Sequence, residues 1–84
     1  MQIEEAREMV NVATKFLTAQ DPTAKDIRLE QIEQRDGEFS IVLSYPEQVS
    51  VGGVVAYLGT YPRVYKEVVV TRNAKEVMAL RIWK

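Results

Sequence analysis

The chain has 84 residues, with 11 Lys and Arg against 12 Asp and Glu, a formal net charge of −1, and neither His nor Cys. Those numbers exclude disulfides, thiolate nucleophiles, cysteine-based zinc sites and imidazole acid–base or metal chemistry. One domain, residues 1–84, is the count at this length, and it is too small to wall off a deep substrate cavity.

Residues 2–20 are expected to form an amphipathic helix. Ile3, Ala6, Val10, Ala13 and Leu17 recur at spacings of three and four, and Met9 and Phe16 widen the stripe. Glu4, Glu5 and Glu8 occupy the first two turns, where the helix dipole favours acids. Asp21-Pro22 stops the helix, because a residue before proline is pushed out of the α region.

Ile27 to Gln34 reads as the first strand. Ile27 and Leu29 share one face while Ile32 falls on the other, so a bulge near Glu30 or Gln31 is needed to reconcile them. Asp36-Gly37 predicts a two-residue type I′ hairpin turn. The return strand, Glu38 to Tyr45, puts Phe39, Ile41, Leu43 and Tyr45 on one face and Ser40, Val42 and Ser44 on the other, and Pro46 ends it.

Residues 46–63 form a connection of 18 residues, long for a compact domain. It mixes glycines and prolines with Val51, Val54, Val55, Tyr57, Leu58 and Tyr61. These cannot all reach so small a core, and they are the candidate partner-binding residues. The opposing reading is that the segment extends the flanking strands or folds back over the sheet. Gly52-Gly53 lacks the spacing of a phosphate loop.

Val64 to Thr71 is a third strand, dense in valine. Arg72-Asn73-Ala74-Lys75 is a turn in which Asn73 is suited to the left-handed conformation. Glu76 to Trp83 is the fourth strand, with Met78, Leu80 and Ile82 on one face and Val77, Ala79, Arg81 and Trp83 on the other. The expected fold is therefore α+β, one N-terminal helix packed on a four-stranded antiparallel meander. The face away from the helix, carrying Arg28, Glu30, Ser40, Ser44 and Lys66, is expected to be largely wet.

Charge is divided unevenly. Residues 1–60 carry 5 basic and 10 acidic groups, whereas residues 61–84 carry 6 basic and 2 acidic. With Tyr61, Tyr65 and Trp83, the basic end admits a nucleic-acid reading. An overall acidic composition weighs against it, and pairing between the two segments is the simpler expectation. The carboxylates Glu30, Glu33, Glu38, Glu67 and Glu76 are better explained by surface ion pairs with Arg28, Lys66 or Arg81 than by catalysis. No catalytic group, cofactor or metal site is expected.

The segments Tyr65-Lys66-Glu67-Val68-Val69-Val70 and Glu76-Val77-Met78-Ala79-Leu80-Arg81 together resemble the closing hairpin of PepSY-type domains. With Ser44-Tyr45-Pro46 at a strand end, they also resemble small uncharacterised bacterial α+β proteins. Asn73-Ala74-Lys75 stands where that hairpin usually has a turn glycine. The resemblance covers roughly residues 38–84 and implies a small regulatory or inhibitory binding module with no catalytic residue.

No apolar run approaches the roughly 20 residues of a membrane span, and Met1-Gln2-Ile3-Glu4-Glu5 is acidic where a secretion signal is basic. The functional expectation is a cytoplasmic, non-enzymatic module. It would bind a protein or peptide partner, or a second copy of itself, through residues 46–63 and an exposed strand edge.

Overall fold

A computed structural model describes residues 3–46 and 63–83. The element order is helix α1 (Ile3–Gln20) followed by strands β1 (Arg28–Arg35), β2 (Glu38–Pro46), β3 (Arg63–Thr71) and β4 (Val77–Ile82). The strands form one antiparallel sheet in the order β1-β2-β3-β4. This is the α+β meander that the sequence pattern implies, with β1 and β4 as its two edges.

The helix ends where Asp21 turns the chain. Its Oδ1 accepts hydrogen bonds from Thr23 N at 3.1 Å and Thr23 Oγ1 at 2.6 Å. These bonds offer the backbone an alternative to another helical turn. The Thr23 hydroxyl is also the first cause holding the Asp21 carboxyl below its ordinary value.

Met9, Ala13 and Leu17, one residue every four, are the fully buried helix positions. They meet Phe39, Ile41, Leu43 and Tyr45 of β2 and Val68 and Val70 of β3. Directly paired residues of antiparallel strands share a face, so Phe39↔Val70 and Ile41↔Val68 are core rungs. Ile3, expected in the helix stripe, is 75% exposed. The helix packs on β2, β3 and β4, and Ile3 is left at the rim of an open groove between α1 and β1.

Two bulges set which side chains face the helix. In β1 the register slips between Leu29 and Gln31, so Glu30 is the extra residue. Leu29 opposes Leu43 and Ile32 opposes Ile41, both on the helix side, as the spacing of Ile27, Leu29 and Ile32 requires. In β4 the register moves from Val69↔Ala79 to Val70↔Val77, which leaves Met78 as the extra residue. That corrects the alternation read from the sequence. Val77 and Leu80 pack against the core, while Met78 is 61% exposed.

Both turns differ in detail from expectation. Gly37 has φ +79°, but Asp36 is not among the positive-φ residues. One positive φ at the second central position is the signature of a type II turn, not type I′. In the β3–β4 turn the left-handed residue is Lys75 at φ +56°, not Asn73. The backbone there is fixed by Lys75 N donating to Thr71 O at 3.0 Å and Thr71 N donating to Glu76 O at 2.8 Å.

Candidate functional site

The polar face of the sheet departs most from expectation. Ser40 and Ser44 are 1% and 0% exposed, and Val42 between them is fully buried. Lys66, placed on this face from the sequence, opposes Leu43 and so lies on the helix side.

The burial has a visible cause. Arg35 of β1 pairs with Glu67 of β3 at 3.8 Å, a bridge that spans β2. At the other end Arg63 of β3 reaches back over β2. Its Nε donates to Ser44 Oγ at 3.1 Å, and its Nη2 donates to Ser44 O and Asp26 O, both at 3.0 Å. The long side chains of Arg35 and Arg63 thus cross the middle strand from opposite edges of this face.

Beneath these side chains each serine has a carboxylate acceptor. The Ser44 hydroxyl donates to Glu30 Oε2 at 2.5 Å. The Ser40 hydroxyl donates to Glu67 Oε2, and Arg81 Nε donates to Glu67 Oε1 at 2.8 Å. The Ser40 bond is the largest cause holding the Glu67 carboxyl below its ordinary value; burial acts against it, and Arg81 and Arg35 add to it. No buried side-chain polar atom among the described residues lacks a partner.

A serine beside a carboxylate of lowered pKa has a weak base, and the arginines already occupy that carboxylate. Glu30 and Glu38 are not brought together: Glu30 meets Ser44, and Glu38 opposes Arg35. Among the described residues no group of three or more metal-ligating side chains forms.

The uneven charge resolves into cross-chain pairs. Arg63 meets Asp26 at 3.4 Å, Arg72 meets Glu5 at 3.0 Å, and Lys75 meets Glu8. The basic third of the chain thereby docks on the acidic remainder. Tyr65 and Trp83 stack at a tilt, with ring centroids 6.1 Å apart, on the face away from the helix.

The six candidate partner-binding residues of the long connection (Val51, Val54, Val55, Tyr57, Leu58 and Tyr61) lie outside the described residues. Their segment leaves β2 after Pro46 and returns at Arg63, which oppose each other.

Two exposed apolar features stand out among the described residues. One is an open groove of about 340 Å³ between α1 and β1, lined by Ile3, Ala6, Val10, Leu29 and Ile32, with Arg7 and Asn11. The other is the β4 edge, where Met78 is 61% and Ile82 67% exposed, with Trp83 beside them.

The two sheet edges are unlike. β1 reads Arg-Leu-Glu-Gln-Ile-Glu-Gln-Arg and carries a bulge at Glu30. Charge and bulges on an edge strand discourage a further strand; β4 shares the bulge, at Met78, but not the charge. β4 reads Val-Met-Ala-Leu-Arg-Ile, with Arg81 its single charge. Sequence inspection noted open edges but did not separate them; composition strand by strand is the signal that does.

Compared with known proteins, the chain matches no family model, no curated protein and no solved structure. No helix among the described residues is long and apolar enough to cross a membrane.

Proposed function

We propose that this chain is a small, non-enzymatic, cytoplasmic interaction module that takes a protein or peptide partner along the β4 edge. The observation that carries this reading is the contrast in charge between the edges: β1 is rich in charged residues, whereas β4 has Arg81 as its single charge and exposes Met78 and Ile82. Adding a strand to such an edge supplies main-chain hydrogen bonds, and the alternate side chains supply selectivity.

Residues Val51, Val54, Val55, Tyr57, Leu58 and Tyr61 enter the proposal as a second contact. The strand ends that flank their segment are at the end of the sheet where Ser44 opposes Tyr65 and Lys66 opposes Ile82. A regulatory binding role is also what the PepSY-like hairpin implies. The nucleic-acid alternative has less support, because Arg63, Arg72, Lys75 and Arg81 already face carboxylates.

The test is affinity capture with three proteins: wild type, a Met78→Lys/Ile82→Lys variant and a Gln34→Lys variant of the opposite edge. A partner retained by wild type and by Gln34→Lys, but lost by the β4 variant, is the expected result. A partner indifferent to the β4 substitutions overturns the proposal.

A further inference from the structure

We propose that the open groove between α1 and β1 binds a free medium-chain carboxylate, with its hydrocarbon along Ile3, Val10, Leu29 and Ile32 and its head group on Arg7. The site lies at the other edge of the sheet from β4 and is independent of the edge reading above.

The groove exists because the helix is held off centre. Arg72 and Lys75 of the β3–β4 turn pair with Glu5 and Glu8 of α1. Those pairs hold the N-terminal half of the helix toward β3 and β4, and β1 is left partly uncovered. The bulge at Glu30 sets Leu29 and Ile32 on the helix side three positions apart. Leu29 is 47% exposed there. Across the gap Ile3, Ala6 and Val10 recur at helical spacing and form the other wall.

Size and lining select the ligand class. The volume of about 340 Å³ is at the lower end of the roughly 300–1,000 Å³ of small-molecule sites. Seven residues line the groove, whereas a protein partner covers about 20–30 a side. The walls are aliphatic, which suits a hydrocarbon chain.

Charge selects the head group. The acids Glu5 and Glu8 are engaged on the other flank of the helix. Arg7 is the one charged side chain lining the groove among the described residues, and no carboxylate among them pairs with it. Asn11, one turn further along, adds an amide donor on the same rim. A carboxylate matches the guanidinium fork with two parallel hydrogen bonds, whereas a cationic amphiphile is repelled and a neutral one leaves Arg7 unused. Because Arg7 is exposed, solvent screens that pair, so the hydrocarbon supplies most of the affinity and Arg7 the selectivity.

Amide NMR of the full chain at pH 7, titrated with octanoate, decanoate or octanol, tests the proposal. Octanoate should shift the amides of residues 3–11 and 29–32 and saturate in the millimolar range. Decanoate should bind about 4- to 15-fold tighter for its two extra methylenes, according to how fully the groove buries them. Arg7→Gln should weaken octanoate by about 2- to 5-fold and leave octanol unchanged. Leu29→Asp should abolish the shifts with both; the Arg7→Gln comparison stands whatever that substitution does to folding. The Met78→Lys/Ile82→Lys variant should bind octanoate like wild type, which separates this site from the β4 edge.

Groove amides unmoved at about 10 mM octanoate overturn the proposal. So does an octanoate-to-octanol ratio that Arg7→Gln leaves unchanged. Groove amides that shift with protein concentration alone would give the groove to a second copy. Contacts from Ile3 or Leu29 to residues 47–62 in nuclear Overhauser spectra would give it to this chain's own connection. Either result overturns the proposal as well.

Discussion

Replacing Glu67 by Gln keeps the size of the side chain and one acceptor oxygen but removes the charge that faces Arg35 and Arg81. The Ser40 hydroxyl then donates to a neutral amide. A hydrogen bond to a charged group contributes about 1.5–3 kcal/mol net and a neutral one about 0.5–1.5, so this change costs about 1 kcal/mol. The Arg81 and Arg35 side chains are 60% and 43% exposed, and solvent screens their share to under about 1 kcal/mol together. The expected loss is about 1–2 kcal/mol, against a total of about 4–13 kcal/mol for a chain of this length.

Urea unfolding followed by circular dichroism reads that loss as a midpoint lowered by about 1–2 M, for a slope near 1 kcal/mol/M. The pH dependence gives a second handle. The folded Glu67 carboxyl lies below its ordinary value of 4.5. Its stabilisation is therefore complete above the unfolded pKa and is lost as pH falls through the lowered folded value. The gap between wild type and Glu67→Gln should close as the medium is taken from pH 7 to below pH 4.5. In a Ser40→Ala background the cost of Glu67→Gln should shrink by about 1 kcal/mol. A gap that persists unchanged in acid, or a cost indifferent to Ser40, would refute the assignment of Glu67 as the anchor of this face.

Other perturbations probe the turns and core. Lys75→Gly should stabilise by about 0.5–1 kcal/mol, because glycine relieves a left-handed backbone at small loss of the exposed Glu8 pair; thermal melting would show a rise of about 4 °C. Gly37→Ala should cost about 1 kcal/mol by the converse argument, since nothing lies within 4 Å of an added Cβ and only φ opposes it. Phe39→Ala, at a fully buried core position, should cost about 3–5 kcal/mol, read as a large drop in the urea midpoint. A chain indifferent to that change would not have the core described.

Much of the fold was legible because its signals are local. Asp36-Gly37 marks a two-residue loop whatever the turn type, and the phase slip among Ile27, Leu29 and Ile32 demands a bulge within β1. The Val77–Met78 phase was not legible. Val77 and Met78 are both apolar, so Met78 in phase with Leu80 and Ile82 reads as an unbroken alternation.

The polar face was hidden for another reason. Serines alternating with Phe39, Ile41 and Leu43 look like solvent-facing positions until register is known. Only pairing shows that Ser40 lies between Glu33 of β1 and Val69 of β3, with Glu67 one pair along. Two arginines can then close over the strand. The edge contrast was present in the sequence, but its meaning depends on strand order, which makes β1 and β4 the outermost strands.

Amide hydrogen exchange at Leu80 and Ile82, with and without a captured partner, tests the edge account most directly. Their N–H groups point away from the sheet and should exchange rapidly in the free chain, then gain about tenfold protection or more when a partner strand pairs with them, while β1 amides keep their rates. Exchange at Leu80 and Ile82 that is unchanged by the partner, or protection that develops along β1 instead, would contradict it.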